Sequence, residues 1–190
     1  MLINAGHPDS TDSDGTIADI GAYPYLNSYS GPNWYITESG NDTTATGASD
    51  DPFRSIQAGI NFSSDDDSVT VAAGTYVENI IIENKSIELK GVDPLSTIID
   101  GNRQDRVLTK NGGASTVSNF TFMNGYAYVP GSTNRGDDGG GIHIESGSLV
   151  LNNSIIRDNE ATSSGGAISS IQNAIFNNVL IINNRLSLIH

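Results

Sequence analysis

Gly139-Gly-Gly-Ile-His-Ile144 returns 26 residues later as Gly165-Gly-Ala-Ile-Ser-Ser170. After each lies a second shared run, Leu151-Asn-Asn-Ser-Ile-Ile-Arg-Asp-Asn159 and Phe176-Asn-Asn-Val-Leu-Ile-Ile-Asn-Asn184, offset by 25. An upstream copy reads Val117-Ser-Asn-Phe-Thr-Phe-Met-Asn-Gly125. Aligned, the copies put Val117, Leu151 and Phe176 in one column and Asn119, Asn153 and Asn178 in another. Asn124, Asp158 and Asn183 make a third. A period near 25 with short β-rich runs, polar turns and Gly pairs is the mark of a solenoid.

The apolar runs are two to six residues long and rich in Ile, Val and Phe, too short for ordinary helices. Coils of this size stack on one another at about 4.8 Å, the spacing of hydrogen-bonded strands, and stacking sets like residues over like. Asn suits the turn columns because its amide both donates and accepts, and because it tolerates left-handed backbone. The expected fold is all-β, a parallel β-helix solenoid. Its core is expected to be the Ile, Val, Leu and Phe of these runs.

The Gly-Gly-[Ala/Gly]-Ile pairs, each following an Asn-rich turn, resemble the repeats of right-handed parallel β-helix surface proteins of the pectin-lyase-like superfamily. They are similar in particular to the polymorphic outer membrane protein repeat, a Phe-x-x-Asn followed by Gly-Gly-Ala-Ile. Phe120-Thr-Phe-Met-Asn124 leading to Gly139-Gly-Gly-Ile142 fits that repeat with an insertion, and Asn177 onward fits its first half only. The resemblance implies a right-handed helix and a place outside the cell, secreted or on the surface of a bacterium. It leaves activity open, because solenoids host many functions.

The balance of 9 Lys+Arg against 22 Asp+Glu gives a formal net charge of −13. Such a surface repels nucleic-acid phosphates and anionic membranes and favours cations. Charged residues are only 16% of the chain, the profile of a turn-rich β protein and not of an acidic disordered tail. With no cysteines, disulfides, Cys-ligated zinc and thiol catalysis are excluded. No apolar run reaches the 18 residues of a membrane span, and Met1-Leu-Ile-Asn-Ala-Gly-His7 lacks the regions of a signal peptide. The apolar ending Arg185-Leu-Ser-Leu-Ile-His190 has no polar cap, so the chain reads as a fragment of a longer, exported protein.

Residues 1–26 read as the tail of a preceding β-helix domain, 27–33 as a linker, and 34–190 as the cap and first coils of another. In the tail, Asp9, Asp12, Asp14 and Asp19 surround Gly15 and offer oxygen ligands for Ca²⁺, or simply form a tight acidic turn. Further on, Asp50-Asp-Pro-Phe-Arg-Ser-Ile56 predicts a helix over 52–60, with Asp at the N-cap and Pro at the first helical position. Phe53, Ile56 and Ile60 share its apolar face, as a helix plugging the open end of the solenoid requires. Residues 34–74, ending in Val69-Thr-Val-Ala-Ala-Gly-Thr-Tyr76, look like the opening of right-handed β-helix domains.

Tyr126 to Asp138 interrupts the repeat and is expected to be a loop leaving the solenoid wall, where such scaffolds place function. Tyr126 and Tyr128 form the close aromatic pair suited to stacking on a sugar. The leading expectation is thus a non-catalytic surface protein binding polysaccharide or a surface glycan. The alternative that the resemblance implies is a polysaccharide lyase, with Arg106 or Arg135 as base and Asp105, Asp137 or Asp138 holding a cation. Other arginines, Arg103 beside Asp105 and Arg157 beside Asp158, read as solvated turn charges. His143, between Ile142 and Ile144 on a strand, is expected to point outward into solvent. Asp65-Asp-Asp67 and Asp137-Asp138 lie in loops, so no catalytic residue is assigned. For the calcium site, titration calorimetry is expected to show Ca²⁺ binding that Asp12→Ala with Asp14→Ala abolishes; an equal isotherm for both chains refutes the site.

Overall fold

A computed structural model describes residues 29–128 and 138–187. The strands fall on successive faces of a stack. The first face carries β1 (Asn33–Ile36), β2 (Ser68–Val71), β5 (Glu88–Gly91), β8 (Ala114–Ser118), then the leading halves of β12 (Ser148–Arg157) and β15 (Ala174–Ile182). The second carries β3 (Gly74–Val77), β6 (Thr97–Asp100) and β9 (Thr121–Met123), continued by the trailing half of β12 and then of β15. The third carries β4 (Ile80–Glu83), β7 (Leu108–Asn111), β11 (Ile142–Ile144) and β14 (Ile168–Ser170). A short ladder of β10 (Tyr126–Ala127), β13 (Glu160–Ala161) and β16 (Arg185–Leu186) turns the corner between the second and third faces. Every strand pair is parallel. The architecture is an all-β, solenoid-like stack.

Register turns sequence columns into physical ones. Val69, Leu89, Val117 and Leu151 pair in succession and are fully buried. Each such side chain contributes roughly 1.5–3 kcal/mol by leaving water. The alternate residues of the same strands, Thr70, Lys90 and Asn152, are only partly covered. The coil offset between β8 and β12 is 34 residues (Ala114 to Ser148) against 25 between β12 and β15 (Leu149 to Ala174). The excess of nine equals the length of 129–137, so the insertion leaves the register on either side undisturbed.

The turn columns behave as their composition dictates. Asn119, Asn153 and Asn178 all take left-handed backbone, with φ of 66°, 43° and 53°. Asn178 Nδ2 donates to Asn153 Oδ1 at 2.8 Å, Asn153 Nδ2 to Asn119 Oδ1 at 2.8 Å, and Asn119 Nδ2 to the Gly91 carbonyl at 3.1 Å. Asn124, Asp158 and Asn183 repeat the conformation at 55°, 57° and 54°. The Gly pairs are steric. Gly139 and Gly165 have φ of 71° and 60°, while a Cβ on Gly140 or Gly166 would lie 2.2 Å from the carbonyl oxygen of Glu160 or Arg185.

Among the described residues one helix occurs, α1 (Ile56–Phe62), which packs on β1, β2 and β4. Phe53, Ile56 and Ile60 are buried as expected, in an aromatic cluster where Phe53 stacks on Phe62 at 4.9 Å and Trp34 lies 6.1 Å from Phe53. Asp67 Oδ2 fixes that cluster by accepting from Trp34 Nε1 and from the Ser64 amide, both at 2.8 Å. The helix begins later than Asp51-Pro52 implies. Phe53 is instead held in extended backbone against β1, its amide donating to Tyr35 O and its carbonyl accepting from Thr37 N, both at 2.9 Å. Ser55 therefore serves as the N-cap, and Glu78 accepts from the first helical amides, Ile56 at 2.9 Å and Gln57 at 3.0 Å.

Two further expectations about the core are corrected. Lys110 occupies the core column between Ile82 and Ile144, fully buried, with its Nζ donating to the carbonyls of Gly112 and Gly113 at the corner. Burial holds its pKa below the usual lysine value. Conversely Phe176, Ile181 and Ile182 are exposed, because β15 is paired on one side only among the described residues. No helix of the described residues is long and apolar enough to cross a membrane.

Asn153→Ala removes two ladder bonds and leaves a Cβ-bearing residue without a polar side chain in left-handed backbone. Urea unfolding is expected to show a loss of about 2–3 kcal/mol. Asn153→Gly, which restores only the backbone freedom, should recover roughly 1 kcal/mol of it. Equal losses for the two variants would show that the left-handed turn carries none of the stability.

Candidate functional site

Tyr126, Glu160 and Arg185 stack in register at the corner between the second and third faces. Arg103, from the turn after β6, reaches the same corner. Its backbone is left-handed at φ 55°, and its Cζ sits 4.8 Å above the Tyr126 ring. Arg103 Nη2 and Arg185 Nη2 both donate to Glu160 Oε2, at 2.7 and 2.6 Å. The Glu160 side chain is only 7% exposed, whereas those of the arginines are 53% and 68% exposed. Burial pushes the Glu160 pKa up, but the two guanidinium groups outweigh it, and the net shift is downward. Beside them lies a 260 Å³ depression lined by Arg103, Asp158, Asn159, Glu160, Asn183 and Arg185.

Tyr126 and Tyr128 pair as the sequence suggests, with ring centroids 5.9 Å apart and planes 30° apart, and Tyr128 is 44% exposed. An open aromatic face beside a guanidinium suits a sugar ring, whose C–H face packs on the aromatic while its hydroxyls find the charge. Glu160 escaped the sequence reading because β13 is only two residues long. Its alignment with Tyr126 and Arg185, each directly after a turn Asn or Gly, was the signal available.

On the other side of the insertion Arg106, Asp138 and His143 converge. Arg106 Nε donates to the Asp138 carbonyl at 2.7 Å, and its Nη1 lies 3.7 Å from Asp105 Oδ1. Asn79 Nδ2 fixes this turn by donating to the carbonyls of Asp105 and Arg106, at 3.1 and 2.9 Å. The expectation that His143 faces solvent is wrong: it is 9% exposed. Its register partners are Thr109 and Ser169, and alternation sends it away from the core, yet it is covered there. A Cβ on Gly139 would lie 3.1 Å from both Cα and Cβ of His143. Burial first, then the Arg106 charge, hold its pKa below the ordinary histidine value, with Glu145 and Asp138 pulling the other way. Asp138 is 6% exposed, and neither its Oδ1 nor His143 Nδ1 has a hydrogen-bond partner.

Arg135 and Asp137, like Asp9, Asp12, Asp14 and Asp19, lie outside the described residues. Arg157 meets Asp158 at 2.5 Å in the column shared with Met123 and Ile182, away from the cluster around Arg106. Among the described residues no group of three or more His, Asp or Glu side chains is placed to hold a metal ion. A second hollow of 340 Å³ is lined by Glu38, Asp42, Arg54, Tyr76 and Glu78. Its carboxylates are engaged in the scaffold: Asp42 accepts from the Arg54 and Ser55 amides, Glu38 from Thr75, and Glu78 from α1. Burial, then Glu38 and Glu78, push the Tyr76 pKa up to about 12.

The two shifts around the insertion give separate pH windows. The folded pKa of His143 lies below its ordinary 6.5, so its stabilising neutral form is fully present above 6.5 and lost as pH falls beneath it. The folded pKa of Glu160 lies below 4.5, so its contribution persists above 4.5 and disappears on further acidification. Thermal melts are expected to show His143→Gln flattening the first window alone. Glu160→Gln should flatten the second and cost about 1–2 kcal/mol at neutral pH, since both arginines are largely solvent-screened. Unchanged profiles in both variants would contradict these environments.

A family model described as a protein of unknown function, DUF1565, matches residues 38–81, which run from the turn after β1 through α1 to β4. No curated protein and no solved structure matches the chain. The chain is therefore similar to that family across its opening segment, from the turn before the helix to the first strand of the third face.

Proposed function

We propose that the chain is a right-handed parallel β-helix, its first coil capped by α1, from a secreted or cell-surface protein that binds carbohydrate without turning it over. The observation that supports this most is the Tyr126–Tyr128 pair, half-buried at Tyr126 and exposed at Tyr128, backed by Arg103 on a corner where three coils stack in register. β10 holds Tyr126 in the stacked corner, which lowers the conformational entropy lost at that residue when a sugar docks. Asn, Ser and Thr on neighbouring rungs supply hydrogen-bonding groups along the path of an extended chain.

Glycan-array screening followed by calorimetry is the test. A neutral or acidic oligosaccharide is expected to bind, with Tyr128→Ala weakening it about tenfold. The product release assay runs beside it: incubation with acidic polysaccharides and Ca²⁺, following the absorbance of unsaturated products. Binding without product supports the reading. Product that disappears in Arg106→Ala or Arg135→Ala replaces it with a lyase.

A further inference from the structure

The 260 Å³ depression beside the Glu160 ion pairs has a fixed floor and an open rim. Two of its lining residues, Asn159 and Glu160, are buried and held in place. Asn159 Oδ1 accepts from the Gly125 amide at 2.7 Å, while its Nδ2 donates to the Phe122 carbonyl at 3.1 Å and to Asn184 Oδ1 at 2.9 Å. Glu160 is gripped by Arg103 and Arg185. The other lining residues reach solvent: Arg103, Asn183 and Arg185 are exposed and Asp158 is half-buried. These four keep hydrogen-bonding capacity. A guanidinium has five N–H donors, and each arginine gives one to Glu160. Arg157 Nη1 donates to Asp158 Oδ2, which takes up one of about four acceptor sites on that carboxylate.

Donors and acceptors thus alternate around one hollow whose lining holds two guanidinium groups and two carboxylates. That balance gives a free ion little net attraction. A sugar hydroxyl, which donates and accepts at once, matches it. The hollow also continues the tyrosine pair. Arg103 belongs to both, with its Cζ 4.8 Å above the Tyr126 ring, and Tyr126, Glu160 and Arg185 follow one another up the stack. Two rungs separate Tyr126 from Arg185, about 10 Å at ordinary strand spacing, too far for one sugar ring to touch both. Building on the carbohydrate reading above, we infer that this depression is a second subsite, taking hydroxyl groups of a neutral sugar, and that a bound glycan crosses the coils along the stack from the tyrosine pair to Arg185. The tyrosines accept any sugar with an apolar face, and the hollow sets the minimum length of the ligand.

The experiment uses the whole 190-residue chain and titration calorimetry. The probes are the disaccharide and the hexasaccharide of xylose, of β-1,4-linked mannose and of cellulose, with hexagalacturonate as the charged comparison. In one neutral series the hexasaccharide is expected to bind about tenfold tighter than the disaccharide. Asn183→Gly keeps the left-handed turn and removes the amide, so it should weaken the hexasaccharide about fivefold and leave the disaccharide unchanged. Tyr128→Ala should weaken both. The ¹⁵N–¹H signal of Arg185 Nε in the wild-type chain should shift with the hexasaccharide alone, which tests the hollow even where a variant fails to fold. Equal affinity for the two lengths, with the Arg185 signal unmoved, overturns the subsite and leaves the tyrosine platform standing. Binding of hexagalacturonate alone overturns its preference for a neutral sugar, and with it the subsite as stated. Failure of every probe to bind removes the carbohydrate reading and the subsite together.

Discussion

Parallel hydrogen bonding between successive coils is the constraint on which everything else rests. A coil cannot satisfy its own backbone amides and carbonyls, so each strand finds its partners one coil above and one below. That forces residues 20 to 35 positions apart into direct apposition, as with Ser68 and Glu88 or Asn33 and Ser68. Side chains then inherit columns whatever their chemistry. Apolar columns become core, asparagine columns become ladders, and a lysine in an apolar column must bend to the corner carbonyls, as Lys110 does. Tolerance for Lys110 comes from geometry, because the corner beside it offers acceptors that a flat sheet would lack.

Where the chain departs from this rule, polar chemistry accumulates. Nine residues separate Tyr128 from Asp138, and β11 and β12 still pair in register with β7 and β8. Arginines from different coils meet at this corner, and a single buried carboxylate, Glu160, holds two of them. The arrangement is expensive in desolvation for Glu160 and stable only because both partners hydrogen-bond the same oxygen. It leaves guanidinium over an aromatic ring instead of free in solvent.

The columns were legible because repetition supplies its own alignment: Leu151 does lie between Val117 and Phe176, and the three Asn or Asp residues of each turn column share one backbone conformation. The helix start was not, because Asp51-Pro52 is a local signal and the pairing of Phe53 with β1 is a tertiary one that overrides it. His143 shows a different limit. Alternation names the face on which a side chain emerges but not what covers that face. Glu160 and Lys110 carry the same lesson from opposite sides: a charged residue in a two-residue strand or an apolar column is indistinguishable in sequence from one in water.

The overall charge bears on which ligands such a corner can hold. At −13 the molecule repels polyanions at a distance, though screening confines that field to about 8 Å at physiological salt. Inside that range the arginines are already paired, because Arg103 and Arg185 face the Glu160 carboxylate while Arg106 lies 3.7 Å from that of Asp105. Local attraction for an anion is therefore spent within the protein, and the long-range term opposes its approach. An uncharged glycan meets neither obstacle. Its affinity would rest on aromatic contact and directed hydrogen bonds, which salt hardly weakens, so salt-independent binding is the physical signature separating such a surface from one built to capture acidic polysaccharide.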